Sequence, residues 1–197
     1  MEITIHKNRS EYPVPAVFLD RDGTINVEKN YLHQVQDWEW ISGAQEAIKM
    51  LRDCGFLVVV ISNQAGIARG YYASEDVKAL HIHVDQELLK MSTGVDAYYW
   101  CPHHPDFGFG CSCRKPAPGM ILQAAKDLNI DLEASWMVGD KAIDVEAGLV
   151  AGVESLLVQT GYGVIDMHKV GEDVSIFASL IEAAEYIKRS RAESCIL

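Results

Sequence analysis

Positive charge is scarce in this chain: 17 Lys and Arg stand against 28 Asp and Glu, a net charge of −11. Binding a phosphate backbone rests on clustered cations, so nucleic acid is not an expected partner, although a small anion can still settle in a locally basic pocket. No run of about 18 apolar residues exists to span a bilayer, and the stretch from Met1 to Pro15 lacks the apolar core of a secretory signal. A cytoplasmic setting is expected, with no membrane partner. The terminal Ser194-Cys195-Ile196-Leu197 carries no prenylation signal, because its cysteine is third from the end rather than fourth. Cysteine is sparse, with five in the chain, and a reducing compartment argues against a disulfide framework. There is no internal repeat and no low-complexity tract. The acidic surface and the lack of an obvious apolar stripe point to a monomer.

What is present is enough apolar residue, 49% of 197, to bury one sizeable core. Residues 1–197 are read as a single domain with an irregular loop, 101–118, inserted. Apolar runs of strand length alternate with segments of helical period: Val17 to Leu19, then Ala44 to Cys54; Leu57 to Ile61, then Ser74 to Lys90; Ala97 to Trp100, then Gly119 to Leu128; Trp136 to Val138, then Ala142 to Ala151; Ser155 to Val158; and a last pair near Val174 to Ile176 and Leu180 to Arg189. This alternation predicts an α/β fold of three layers, Rossmann-like, with a mostly parallel sheet covered by helices on both faces. Ser42 and Ser74 are the expected N-caps, and Gly55 follows the first helix where a C-cap belongs.

The most telling stretch is Val17-Phe18-Leu19-Asp20-Arg21-Asp22-Gly23-Thr24-Ile25. It reads as a buried strand that delivers two carboxylates to the carboxyl edge of the sheet, where open α/β folds place their chemistry. A calcium loop starting at Asp20 fails, since Ile25 stands where the turn glycine belongs and Tyr31 where the bidentate Glu belongs. Three further signals follow. Val58 to Ile61 runs into Ser62-Asn63-Gln64, a hydroxyl and amides suited to anionic oxygens. Arg114-Lys115-Pro116 sets two cations side by side. Met137-Val138-Gly139-Asp140-Lys141, with Asp144 beyond it, is again an apolar run ending in a carboxylate.

Within thirteen residues stand Cys101, Cys111 and Cys113, together with His103 and His104. Three thiolates and one imidazole suit a closed tetrahedral Zn²⁺ site, which would be structural and would hold the adjacent Arg114-Lys115 in place. Cys54 and Cys195 lie outside this cluster.

Four strand-end or loop signals in this order resemble the four motifs of the haloacid dehalogenase-like (HAD) phosphatase superfamily. The resemblance implies a Mg²⁺-dependent phosphatase in which Asp20 is the nucleophile and forms an aspartyl-phosphate. Asp22 would be the general acid and base, while Ser62 and Lys115 would stabilise the transferring phosphoryl group. It assigns Mg²⁺ to the Asp20 carboxylate, the Asp22 backbone carbonyl and the Asp140 carboxylate, a hard-oxygen set suited to that ion. Asp144 is left open between a supporting acid and a plain helix residue. The family's Cys-x-His pattern selects Cys101, His103, Cys111 and Cys113 as zinc ligands, with His104 the substitute for His103.

Within the superfamily, the Phe-Leu-Asp-Arg-Asp-Gly-Thr run, Asn63 to Gly70, the Cys/His loop and Arg114 to Met120 resemble the branch that acts on D-glycero-D-manno-heptose 1,7-bisphosphate. The likeness runs from about Ala16 to Tyr162. It implies removal of the 7-phosphate in the making of a nucleotide-heptose precursor for lipopolysaccharide or surface glycan, by a fold without a large cap domain. The substrate would be enclosed by the zinc loop and by Glu28, Lys29, Asn30 and Tyr31, with Arg21, Asn63, Gln64, Arg114 and Lys141 as further contacts. The short His103 to Cys111 interval and Ser62, where threonine is common, keep histidinol-phosphate phosphatase or a broader sugar-phosphate phosphatase as alternatives. A non-catalytic zinc-stabilised binding module is the reading from another class.

Overall fold

A computed structural model describes residues 1–108 and 110–194; Cys195 and the two residues after it lie outside them. Seven strands form one sheet: β1 Glu2–Ile5, β2 Ala16–Leu19, β3 Leu57–Asn63, β4 Ala97–Cys101, β5 Trp136–Gly139, β6 Glu154–Val158 and β7 Ile176–Phe177. Their spatial order is β1-β4-β3-β2-β5-β6-β7, with β1 antiparallel to β4 and every other pair parallel.

Parallel strands covered on both faces read as continuous apolar runs, and β2 is buried at all four positions. Alternate residues of a strand face opposite sides. Val17 and Leu19 therefore join one core with α1 (Ala44–Asp53), α3 (Ser74–Leu89) and α7 (Leu180–Ser194). Ala16 and Phe18 join the other with α4 (Gly119–Leu128) and α5 (Ala142–Ala151). The expected three layers follow. From β2 the chain builds outward through β3 and β4, then crosses back to β5 on the other side of β2, so the carboxyl end of β2 lies where the strand order reverses. Ligands of open α/β sheets bind in that crevice.

Two caps differ from expectation. Gly43, not Ser42, precedes α1 in the left-handed region at φ +80°, and a Cβ there would stand 3.0 Å from Ile181 of α7. Tertiary packing chose the cap. Ser74 is the first residue of α3 rather than its cap: the Asp76 carboxylate takes the Ala73 N–H at 2.8 Å, and the Ser74 hydroxyl donates to Glu2 instead. Gly55 closes α1 at φ +85° as expected. The single-turn helices α2 (Ala65–Ala68) and α6 (Gly163–Asp166) and strand β1 carry no strong sequence signal.

Candidate active site

Asp20 follows the last residue of β2, and its backbone N–H donates to Val138 O of β5 at 3.0 Å. Its carboxylate is buried and meets Lys115 Nζ at 2.6 Å through Oδ1. The same ammonium reaches Asp144 Oδ1 at 2.7 Å and donates to Ile61 O at 2.9 Å. Lys115 is only 3% exposed, and a buried charge persists only when paired. Its own backbone is gripped from β3: Asn63 donates to Lys115 O at 3.0 Å and accepts from Lys115 N at 3.1 Å. Asn63, expected as a substrate contact, thus spends its amide on positioning this lysine.

Asp140 follows the last residue of β5 and is fully buried. Its Oδ2 takes the Tyr162 N–H at 2.8 Å, while Oδ1 is without a hydrogen-bond partner among the described residues. Glycines shape the floor around it. A Cβ on Gly23 or on Gly161 would sit 2.2 Å from Asp140 Oδ2, and both residues hold positive φ. Ligand oxygens of Asp20, Asp140 and Asp144 lie within 4.8 Å of one another. Burial, reinforced by Asp20, pushes Asp140 up to about 8, and burial pushes Asp144 up to about 6 against the pull of Lys115. Burial also raises Asp20, but Lys115 and Lys141 outweigh it and hold that carboxyl below its usual range. An orphaned buried oxygen among crowded carboxylates fits a divalent cation, and hard-oxygen donors with room for waters suit Mg²⁺. Asp144 has both oxygens engaged, by Lys115 Nζ and by the Lys141 N–H at 3.0 Å. It braces the lysine, so that Asp20 and Asp140 are the carboxylates that would face an ion.

Asp22 stands at the cleft, held by four donors: Arg21 Nε and Nη2, Asn26 Nδ2 at 3.0 Å and Gln64 Nε2 at 3.1 Å. Arg21 does not reach the cleft. It is 1% exposed and turns beneath Asp22 toward Leu32 O. Lys29 also stays out, paired with Glu39 at 2.9 Å. Glu28, Asn30, Tyr31, Ser62, Asn63, Gln64, Arg114 and Lys141 do line the opening, a cleft of about 270 Å³ with Asp20 at its base. Lys141 bridges its walls, 3.2 Å from Glu28 and 4.7 Å above the Tyr162 ring. Sequence reasoning missed His104, Tyr72 and Tyr162 as lining residues. No local pattern marks them, because only the tertiary fold brings their segments to the cleft.

The zinc loop assembles as spaced. Cys101 and Cys111 sulfurs lie 3.5 Å apart, Cys111 and Cys113 3.4 Å, and His103 Nδ1 is 3.7 Å from Cys101 and 3.6 Å from Cys113. A tetrahedral ion with bonds of about 2.3 Å to sulfur keeps its thiolates roughly 3.7 Å apart, whereas a disulfide needs about 2.05 Å. The four cysteines of the described residues are all free. His104 turns away from the cluster to meet Arg69 Nη2 at 3.2 Å.

Comparison with known proteins agrees with this geometry. A HAD-hydrolase-like family model matches residues 112–182. The D-glycero-beta-D-manno-heptose-1,7-bisphosphate 7-phosphatase of Yersinia pestis is 46% identical over 154 residues, covering 75% of this chain and 82% of that protein. The protein of the same name from Haemophilus ducreyi is 42% identical over 179 residues, covering 87% and 97%. The crystal structure of a D,D-heptose 1,7-bisphosphate phosphatase from B. bronchiseptica, complexed with magnesium and phosphate, superposes with a TM-score of 0.83 at 34% identity, over 89% of this chain and 99% of that one. Placed beside a buried Asp20–Lys115 pair, a cation-ready carboxylate floor and a Cys₃His loop, these likenesses make the chain a member of the heptose-bisphosphate phosphatase family of HAD-like hydrolases.

Proposed function

We propose that this enzyme removes the 7-phosphate of D-glycero-β-D-manno-heptose 1,7-bisphosphate, as a cytoplasmic monomer whose residues 1–197 form one catalytic unit. The observation that carries the reading is the cleft itself: a buried nucleophilic carboxylate at the base, with Lys115 beside it and two further cations, Arg114 and Lys141, on the walls. Phosphorylated sugars supply anions at both ends, and a planar guanidinium suits the second one. The relatives carrying the heptose name favour this substrate over histidinol phosphate.

In this reading an Asp20 carboxylate oxygen attacks phosphorus, the bond from phosphorus to the sugar oxygen breaks, and that oxygen takes a proton from Asp22. Water then attacks the aspartyl-phosphate, gives its proton to Asp22, and releases inorganic phosphate with the Asp20 carboxylate restored. Ser62 donates to a phosphoryl oxygen and Lys115 contributes its fixed positive charge beside Asp20, as groups set in place before the reaction. The Asp20 and Asp140 carboxylates and the Asp22 backbone carbonyl would hold Mg²⁺, which would supply the positive charge an anionic phosphate needs beside these carboxylates. Zn²⁺ on Cys101, His103, Cys111 and Cys113 is structural.

The test is the initial rate of phosphate release with Mg²⁺ from both anomers of heptose 1,7-bisphosphate and from histidinol phosphate, with Asp20→Asn as control. The β-anomer should be preferred in kcat/KM by at least about 100-fold over histidinol phosphate, roughly 2.7 kcal/mol of discrimination in the transition state. A preference for histidinol phosphate would overturn the substrate, and undiminished turnover by Asp20→Asn would overturn the mechanism.

A further inference from the structure

The acid Asp22 and the phosphate donor Ser62 share one neighbour, the Gln64 side chain, whose Nε2 donates to Asp22 Oδ2 at 3.1 Å and to Ser62 Oγ at 2.7 Å. An amide can occupy this place in two orientations that differ only by exchange of O and NH₂. Both ends favour one orientation: the Asp22 carboxylate accepts the NH₂, and on the far side the Tyr72 hydroxyl donates to Gln64 Oε1 at 2.7 Å. We propose that Tyr72 is a positioning residue for proton transfer, acting through Gln64 to set which hydrogen-bonding groups meet Asp22 and Ser62. The inference rests on the phosphatase reading and adds to it a residue that no catalytic motif contains.

The polarity matters for both partners. With NH₂ facing the cleft, Ser62 Oγ accepts from Gln64, so the serine's own proton is free to point at a phosphoryl oxygen. The second N–H fixes Asp22 Oδ2. With the amide reversed, Oε1 would face the Asp22 carboxylate, acceptor against acceptor, and would draw the Ser62 proton away from the substrate. Tyr72 is built to prevent this. Its ring lies between the His33 ring, stacked at 5.3 Å and 10°, and Gly66, where a Cβ would come within 2.1 Å of Tyr72 Cε1. Burial pushes its phenol up to about 12, so it stays a donor at any working pH. With the ring packed there, the hydroxyl donates to Oε1 while both amide hydrogens are used, an arrangement that satisfies every group.

The test uses Tyr72→Phe, which keeps the ring and deletes the hydroxyl, and compares an alkyl ester with an aryl ester. A sugar alkoxide needs a proton to leave, a need that general acid catalysis meets at on the order of 10²- to 10⁴-fold, while p-nitrophenolate leaves without one. Tyr72→Phe should lower kcat on heptose 1,7-bisphosphate by about tenfold or more with KM within about twofold, and should lower kcat on p-nitrophenyl phosphate several-fold less. Gln64→Met should reproduce this selective loss, and adding Tyr72→Phe to it should cost nothing further, because the hydroxyl acts only through the amide. Equal losses on both esters, or additive losses in the double variant, would overturn the proposal. Wild-type enzyme assayed in parallel separates this from the substrate assignment. If it cleaves p-nitrophenyl phosphate and a simple alkyl phosphate but not the heptose ester, only the assigned substrate falls, and the same comparison runs on the alkyl phosphate. No turnover of any monoester overturns both.

Discussion

Around Asp140 the protein relies on the absence of side chains. Gly23 and Gly161 approach the carboxylate from two directions, each in a left-handed conformation, and neither leaves room for a methyl group. Gly161→Ala would place a Cβ 2.2 Å from Asp140 Oδ2 and displace that carboxylate from the Tyr162 N–H that aims it. We expect Mg²⁺ affinity to fall by about 10- to 100-fold, the range for losing a group that orients a metal ligand, measured as the Mg²⁺ concentration giving half-maximal phosphate release. Unchanged Mg²⁺ dependence would mean that the floor is compliant. At this scale Asp20, Asp22 and Asp140 were legible in the sequence, because each interrupts or ends an apolar run with a charge. Asp144 and Tyr72 were not, since their meaning lies in partners 29 and 8 residues away, Lys115 and Gln64. Arg21 was misjudged for the opposite reason: adjacency to two carboxylates suggests a substrate contact, whereas its burial makes it the counter-charge beneath Asp22.

Among the elements, the irregular segment between β4 and α4 carries the most consequence. Cys101 ends β4, Cys113 is buried, and Lys115 follows two residues later with its ammonium in the site. Metal binding by such a loop is inseparable from its folding. Cys113→Ser should therefore lose zinc, measured by metal analysis, and should lose kcat as Lys115 leaves Asp20, with KM for the bisphosphate rising as Arg114 drifts from the wall. Full activity in zinc-free Cys113→Ser would show that the Asn63 grip suffices on its own. The spacing of the cysteines announced this loop, because ligand geometry is a local constraint. Strand β1 was hidden. Its residues alternate apolar and polar within a polar stretch, and it exists as a strand because β4 pairs with it. The cap of α1 was likewise shaped by Ile181, far off in the chain, and Glu2 draws the Ser74 hydroxyl away from the start of α3.

For the molecule as a whole, the carboxylate cluster links stability to pH and to metal. Asp140 is raised by burial and by Asp20 to about 8 from its usual 3.8. An acid with a raised folded-state pKa binds its proton more tightly folded than unfolded, so stability is highest below about pH 4 for this group and declines as pH rises toward 8. Asp144, raised to about 6, acts in the same direction over a narrower window. Mg²⁺ binding N and not U opposes that decline, so the gain in Tm on adding Mg²⁺ should be larger at pH 8.5 than at pH 5.5. Equal gains at both values would contradict the cluster's role in binding the ion. The layered architecture behind this was readable from strand and helix alternation, yet the order of the strands was not, because nothing local distinguishes a crossover to the left from one to the right.

The antiparallel strand at the sheet's margin has one more implication. β4 is the strand that leads into the zinc loop, and without β1 its outer row of N–H and C=O groups would face water along Ala97 to Trp100, a stretch of three aromatics and an alanine. An exposed apolar margin of that kind recruits other chains by edge-to-edge pairing. β1 thus moves the open edge one strand outward, from three aromatics to a short stretch that carries Glu2 and Thr4, and covers the very strand from which the Cys/His loop departs.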